Sequence, residues 1–85
     1  MKITVETELS LYTLTLAYTE NEKFTGTGCF GIFSTYDNAR NTLENIFKEF
    51  GEKLAYKEDI PLGRRYFTDY STWELEKFKV DELVQ

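Results

Sequence analysis

One segment of the chain, residues 35–50, repeats its apolar side chains at the spacing of an α-helix. The members of this apolar stripe are Tyr36, Ala39, Leu43, Ile46, Phe47 and Phe50. Such a stripe becomes buried when the helix packs on a neighbouring layer. Ser34 or Thr35 can cap the first turn, and Gly51 can end the last one. The segment therefore predicts one amphipathic helix that packs against the rest of the domain.

The residues before this helix alternate between apolar and polar, which is the pattern of β-strands. Strands are predicted at 2–9, 11–19 and 27–34, and residues 1–10 are interpreted as an N-terminal extension of the first strand. The alternation changes phase near residues 9–11, which indicates a bulge or a turn there.

The residues after the helix have a less regular pattern. Residues 64–70 have the composition of a strand, and a last strand follows around Trp73. A change of phase near Glu76 indicates a bulge. Residues 52–63 are interpreted as a short helical turn or an irregular crossing, and residues 81–85 as a loose tail.

The order strand, strand, helix, strand, strand predicts one α+β domain that spans residues 1–85. We expect an antiparallel sheet of about four strands (β-β-α-β-β) with the helix on one face, because this arrangement buries both apolar stripes. A length of 85 residues suits one domain. The aromatic share of 16% supplies the large side chains that a small core needs.

The charge balance is acidic, with 15 acidic and 10 basic residues and a net charge of −5. Repulsion from phosphates argues against direct binding of nucleic acid. An acidic surface suits a basic protein partner, or it serves solubility alone. No apolar run approaches the roughly 20 residues that span a bilayer, so we expect no membrane contact. A single cysteine and no signal-peptide pattern predict a cytoplasmic protein.

Few residue types of catalytic chemistry are present. The chain has no histidine, which excludes Ser–His and Cys–His nucleophiles and histidine metal ligands. Cys29 lies in an apolar strand and is predicted to be a buried thiol. The run Gly26-Thr-Gly28-Cys-Phe-Gly31 matches the glycine spacing of a dinucleotide site, but it enters a strand instead of opening a helix. We therefore expect no enzyme activity, no cofactor and no metal.

Carboxylates are the remaining candidates for chemistry. Glu6 and Glu8 share one face of a strand, as do Glu74 and Glu76, at about 7 Å between backbones. This spacing is compatible with acid–base catalysis, but alternating positions favour a solvated, acidic face. The two rows come together if their strands are neighbours.

Aromatic residues and arginines concentrate in the second half of the chain. Tyrosine, tryptophan and arginine dominate binding hot spots, although the same rings also fill small cores. The predicted partner-binding residues are Glu6, Glu8, Arg64, Arg65, Tyr66, Tyr70, Trp73, Glu74 and Glu76.

The run Gly31-Ile-Phe-Ser-Thr35, followed by Ala39 in the amphipathic helix and by a late Trp-Glu-Leu-Glu strand, resembles a family of small uncharacterised α+β domains of bacteria and phages. The resemblance covers about residues 11–82, and the chain departs from it at residues 1–10 and 54–72. It implies the same fold and a phage or mobile-element origin. It implies no activity and no residue roles.

Two classes of function follow from these observations. The first is a non-catalytic protein-binding module, specifically an anti-CRISPR-like inhibitor of a host defence nuclease that acts through an acidic surface. The second is a small carboxylate-dependent enzyme or an accessory subunit of one. A structural homodimer, joined through an exposed strand edge, is a further alternative.

Overall fold

A computed structural model describes residues 10–24 and 28–79 of the chain. Its elements, in chain order, are β1 (Ser10–Thr19), β2 (Gly28–Phe33), α1 (Tyr36–Phe50), β3 (Leu54–Ile60), β4 (Gly63–Thr68) and β5 (Ser71–Lys79). The five strands form one sheet in the order β2-β1-β5-β4-β3, and all neighbours are antiparallel. The predicted α+β class, with one helix and an antiparallel sheet, is confirmed, and the described sheet has five strands where about four were expected.

The helix α1 has the ends that its sequence predicts. The side-chain oxygen of Thr35 accepts a hydrogen bond from the backbone N–H of Asn38 at 3.1 Å, which caps the first turn. Gly51 ends the helix with φ 73°, a left-handed conformation that glycine adopts without steric cost, and its N–H bonds the carbonyl of Phe47.

The core lies between α1 and one face of the sheet. The helix packs against β1, β2 and β5. The register of the two central strands sets Leu14 opposite Leu75 and Leu16 opposite Trp73 on the face that the helix covers. The buried apolar residues are Leu14, Leu16, Ala39, Leu43, Phe47, Tyr66, Trp73 and Leu75. The described helix α1 therefore buries its own apolar stripe and, at the same time, the apolar side chains of the central strands that face it.

The segment at 52–63 was predicted incorrectly, because it contains the strand β3. This edge strand pairs with β4, with Lys57 opposite Tyr66 and Glu58 opposite Arg65. Every residue of β3 except Ile60 is exposed, so no alternation between apolar and polar side chains marks it. The strand is held by its ladder with β4 and by ion pairs, and neither leaves a signal in apolar periodicity.

The bulge predicted near Glu76 is also absent from the described residues. β5 pairs with β1 without a register shift from Trp73 to Lys79. The apolar pattern changes phase there because Phe78, opposite Leu11, points to the other side of the sheet from Leu75. The apolar side chains of β5 therefore move from the helix-covered face to the opposite face of the sheet, and the strand pairing continues without a bulge.

Register shifts do occur elsewhere in β1. One lies between Leu14 and Thr15 in the pairing with β2, and another between Leu16 and Tyr18 in the pairing with β5. The predicted strand at 2–9 and the predicted tail at 81–85 lie outside the described residues.

Candidate functional site

The sheet has one face under α1 and one face that no described helix or strand covers. Because side chains alternate along a strand, the neighbours of the core residues point to this second side. We call it the uncovered face, and its side chains are Leu11, Thr13, Thr15, Tyr18, Cys29, Ile32, Tyr56, Glu58, Ile60, Arg65, Phe67, Thr72, Glu74, Glu76 and Phe78. Three of the predicted binding residues, Arg65, Glu74 and Glu76, meet on this face.

A row of charges crosses the middle of the uncovered face. Arg65 lies between two carboxylates: its Nη1 is 2.9 Å from Glu58 Oε2, and its Nη2 is 2.9 Å from Glu74 Oε2. The Nε–H of Arg65 also donates to Glu74 Oε2 at 3.0 Å. Together with Glu76, three carboxylates and one guanidinium give this face a formal charge of −2.

Glu76 lies two positions after Glu74 on the same side of β5. Partial burial raises the pKa of Glu76, and the charge of Glu74 raises it further, while Arg65 acts in the opposite direction. Ionisation of Glu76 is therefore costly mainly because its carboxylate is partly buried, and the negative charge of Glu74 adds to that cost.

Aromatic and aliphatic side chains flank the charged row. The rings of Tyr56 and Phe67 stack at 4.4 Å between centroids and 9° between planes. Tyr56 is 57% exposed, Tyr18 52% and Ile32 62%. Exposed large apolar groups beside a charged row are typical of surfaces that bind proteins.

The structure brings together only some of the predicted partner-binding residues. Arg65, Glu74 and Glu76 share the uncovered face, whereas Arg64 points to the opposite side and pairs with Asp59 at 3.0 Å. Glu58 belongs to the charged row but was missed, because 54–60 was not predicted to be a strand.

The predicted aromatic residues divide between the core and the surface. Tyr66 is 4% exposed and Trp73 is 0% exposed, so in this structure both belong to the core and offer no surface to a partner. Tyr70 is exposed in the turn between β4 and β5. Glu6 and Glu8 lie outside the described residues, so their predicted proximity to Glu74 and Glu76 stays a prediction.

Cys29 is exposed, which corrects the prediction of a buried thiol. It lies opposite Thr15 in the edge strand β2, on the side of the sheet away from the helix. The apolar composition of the segment did not imply burial of Cys29, because β2 is an edge strand and part of it is exposed.

A buried carboxylate, which sequence reasoning missed, joins three parts of the fold. Glu52 is 5% exposed and follows the helix cap. It accepts hydrogen bonds at 2.6 Å from the side chains of Asn21, Thr68 and Ser71. Trp73 Nε1 donates to the Ser71 hydroxyl at 2.8 Å. We call these five residues the Glu52 cluster.

The Glu52 cluster keeps its carboxylate ionised. Burial alone would raise the pKa of Glu52, but the hydrogen bonds from Ser71, Thr68 and Asn21 together outweigh it and hold this pKa below its usual value. All three donors are neutral. The cluster therefore places a negative charge inside the fold, beside the end of α1.

No family model, no curated protein and no solved structure matches this chain. Within residues 10–24 and 28–79, no group of three histidine, cysteine, aspartate or glutamate side chains is arranged to hold a metal ion. The described helix is neither long enough nor apolar enough to cross a membrane.

Proposed function

We propose that this protein is a non-catalytic binding module whose uncovered face contacts a basic surface on a protein partner. The proposal depends chiefly on one observation, the Glu58–Arg65–Glu74 row with Glu76 beside it on a sheet face that no described element covers. Charged rows of this kind steer association and fix the orientation of a partner. The flanking rings supply the apolar area that gives such a contact its affinity.

The geometry of the row suits a binding role. Arg65 holds both Glu58 and Glu74 in fixed positions, so less side-chain freedom is lost when a partner binds. The strands also hold Glu74 and Glu76 about 7 Å apart on one side of β5. A partner with two cationic side chains at a similar spacing would pair with both carboxylates at once.

A more specific proposal concerns the identity of the partner. A protein groove that binds a nucleic-acid backbone is lined by lysine and arginine, and an acidic sheet face complements such a groove. Together with the resemblance to bacterial and phage domains, this supports an inhibitor of a host defence nuclease, of the anti-CRISPR type, that occupies the nucleic-acid groove.

The test is a capture experiment with matched charge variants. The tagged wild-type chain, a Glu58→Lys variant and a Glu44→Lys control are incubated with bacterial lysate, and bound proteins are quantified by mass spectrometry. Both substitutions change the charge equally, but Glu44 lies on the helix, with its side chain 62% exposed. We expect the wild-type chain and the Glu44→Lys control to capture a basic, nucleic-acid-binding protein. The Glu58→Lys variant should capture much less of it.

Salt gives the second readout, because exposed charge pairs are screened over about 10 Å at 0.1 M salt. We expect capture of that protein to fall as salt rises. A protein lost equally from both variants, salt-insensitive capture, or no difference between Glu58→Lys and wild type would contradict the proposal.

A further inference from the structure

A pocket of about 380 Å³ opens at the end of α1, outside the uncovered face. It lies between the β1–β2 loop, the last residues of α1 and the turn that joins β4 to β5. Its lining residues are Glu20, Asn21, Glu22, Lys23, Phe50, Gly51 and Tyr70. We call it the loop pocket.

Hydrogen bonds hold the walls of the loop pocket in place. The backbone N–H of Glu20 donates to the carbonyl of Tyr70 at 2.7 Å, which ties the loop to the turn. The side chain of Asn21 donates to Glu52 at 2.6 Å and accepts from the N–H of Lys23 at 3.0 Å. A pocket with fixed walls loses little conformational entropy when a ligand binds.

The loop pocket has a negative environment. Glu20 and Glu22 line it, and Lys23 is the one cation among the lining residues that the structure describes. The ionised Glu52 lies directly behind Asn21, and its three hydrogen-bond donors carry no charge. The C-terminal end of α1, which carries about half a negative charge, adds to the same field. The field favours a cation and disfavours an anion.

Two aromatic residues complete the walls. Tyr70 is 52% exposed and Phe50 is half-buried. A guanidinium is planar, stacks on aromatic faces and donates to carboxylates in a fixed fork, whereas an ammonium is a compact and strongly hydrated charge. We infer that the loop pocket receives an arginine side chain from a protein partner.

The direct test is an NMR titration of the isolated chain with N-acetyl-arginine amide. We expect saturable, millimolar shifts that include the backbone amides of Asn21, Lys23 and Gly51. The isosteric but neutral N-acetyl-citrulline amide should bind at least tenfold more weakly. N-acetyl-lysine amide should also bind more weakly than the arginine compound.

Matched variants locate the effect. Glu22→Gln removes one charge from an exposed loop position and should weaken arginine binding about two- to fivefold, the effect typical of an exposed charge pair. Glu44→Gln makes the same change on the exposed side of α1 and should leave the affinity unchanged.

The inference is overturned by equal affinity for arginine and citrulline amides, by equal or tighter binding of the lysine compound, or by shifts that map away from the loop pocket. Equal weakening in Glu22→Gln and Glu44→Gln would also overturn it. The titration uses no partner protein and does not alter the uncovered face. Failure of the titration would therefore leave the proposed function unaffected. Failure of the capture experiment would likewise leave the inference about the loop pocket unaffected.

Discussion

Replacement of Glu52 by glutamine probes the hydrogen bonds that join the end of α1 to one end of the sheet, where β1 and β4 end and β5 begins. The carboxylate accepts at both oxygens: Oε1 from Thr68 and Ser71, and Oε2 from Asn21. A glutamine retains one oxygen for the two hydroxyls. Its amide nitrogen then faces the amide nitrogen of Asn21, so two donors meet in a buried site.

The expected cost follows from these three bonds. A hydrogen bond to a charged group contributes about 1.5–3 kcal/mol and a neutral one about 0.5–1.5 kcal/mol. Loss of the Asn21 bond and weakening of the two hydroxyl bonds together would lower the free energy of unfolding by about 4 kcal/mol. Because neighbouring side chains relax around the glutamine, we expect a measured loss of about 2–4 kcal/mol. For a domain of this size, such a loss lowers the Tm by about 8–30 °C.

The effect of Glu52 depends on pH with a defined sign. Its pKa is held below the usual 4.5 in the folded state, so the carboxylate stabilises the fold above that pH. This contribution is lost as the pH falls through the folded-state pKa. The difference in unfolding free energy between wild type and Glu52→Gln should therefore be full at pH 7 and shrink below pH 4.5.

The assay is urea denaturation, followed by tryptophan fluorescence, at pH 7 and at pH values below 4.5. Trp73 is a suitable probe because it is buried and belongs to the Glu52 cluster through its hydrogen bond to Ser71. Glu44→Gln, on the exposed side of α1, serves as the control and should change stability by less than about 0.5 kcal/mol. A loss below about 1 kcal/mol for Glu52→Gln at pH 7, or a loss independent of pH, would refute the reasoning.

Two further predictions concern β4 and β5. Gly63→Ala should lower the free energy of unfolding, measured by urea denaturation, by about 1–3 kcal/mol or more. The added methyl group would collide with the backbone carbonyl of Leu75 and lie 3.0 Å from the Cα of Glu76. An unchanged urea midpoint would contradict the close approach of β4 and β5 at this point. Glu76→Gln should stabilise the chain at pH 7, since burial and Glu74 raise the pKa of Glu76. The stability that this raised pKa confers is present below pH 4.5 and lost as the pH rises through the folded-state value, so the advantage of glutamine should vanish in acid. A stabilisation that persists there would contradict it.

The helix could be predicted from sequence because burial, capping and periodicity agree in one short segment. Leu43 and Phe47 lie on the buried stripe, and Thr35 and Gly51 cap the helix as their residue types suggest. Each of these signals is local, so no knowledge of the tertiary fold is needed.

The missed features depend on distant partners. β3 is recognisable only through its pairing with β4, because its side chains are exposed on both faces. The role of Glu52 depends on Asn21, 31 residues earlier, and on Ser71, 19 residues later. A lone glutamate after a helix cap carries no local sign of such partners.

The candidate site also combines residues that could be placed from local sequence with residues that could be placed only from the tertiary fold. Glu74 and Glu76 could be placed on a polar strand face from their alternation alone. Arg65 and Glu58 join them through the register of β5, β4 and β3, which the sequence pattern does not specify. Trp73, which residue type made a candidate hot spot, is instead the centre of the core.

Thiol labelling of the chain, free and bound to the captured partner, tests most directly whether the uncovered face binds. In a Cys29→Ser background, Ile32→Cys reports on the uncovered face and Glu44→Cys on the exposed side of α1. We predict fast alkylation at both positions in the free chain, and a large decrease in the complex at position 32 alone. Slower labelling at position 44, with position 32 unaffected, would contradict the proposal.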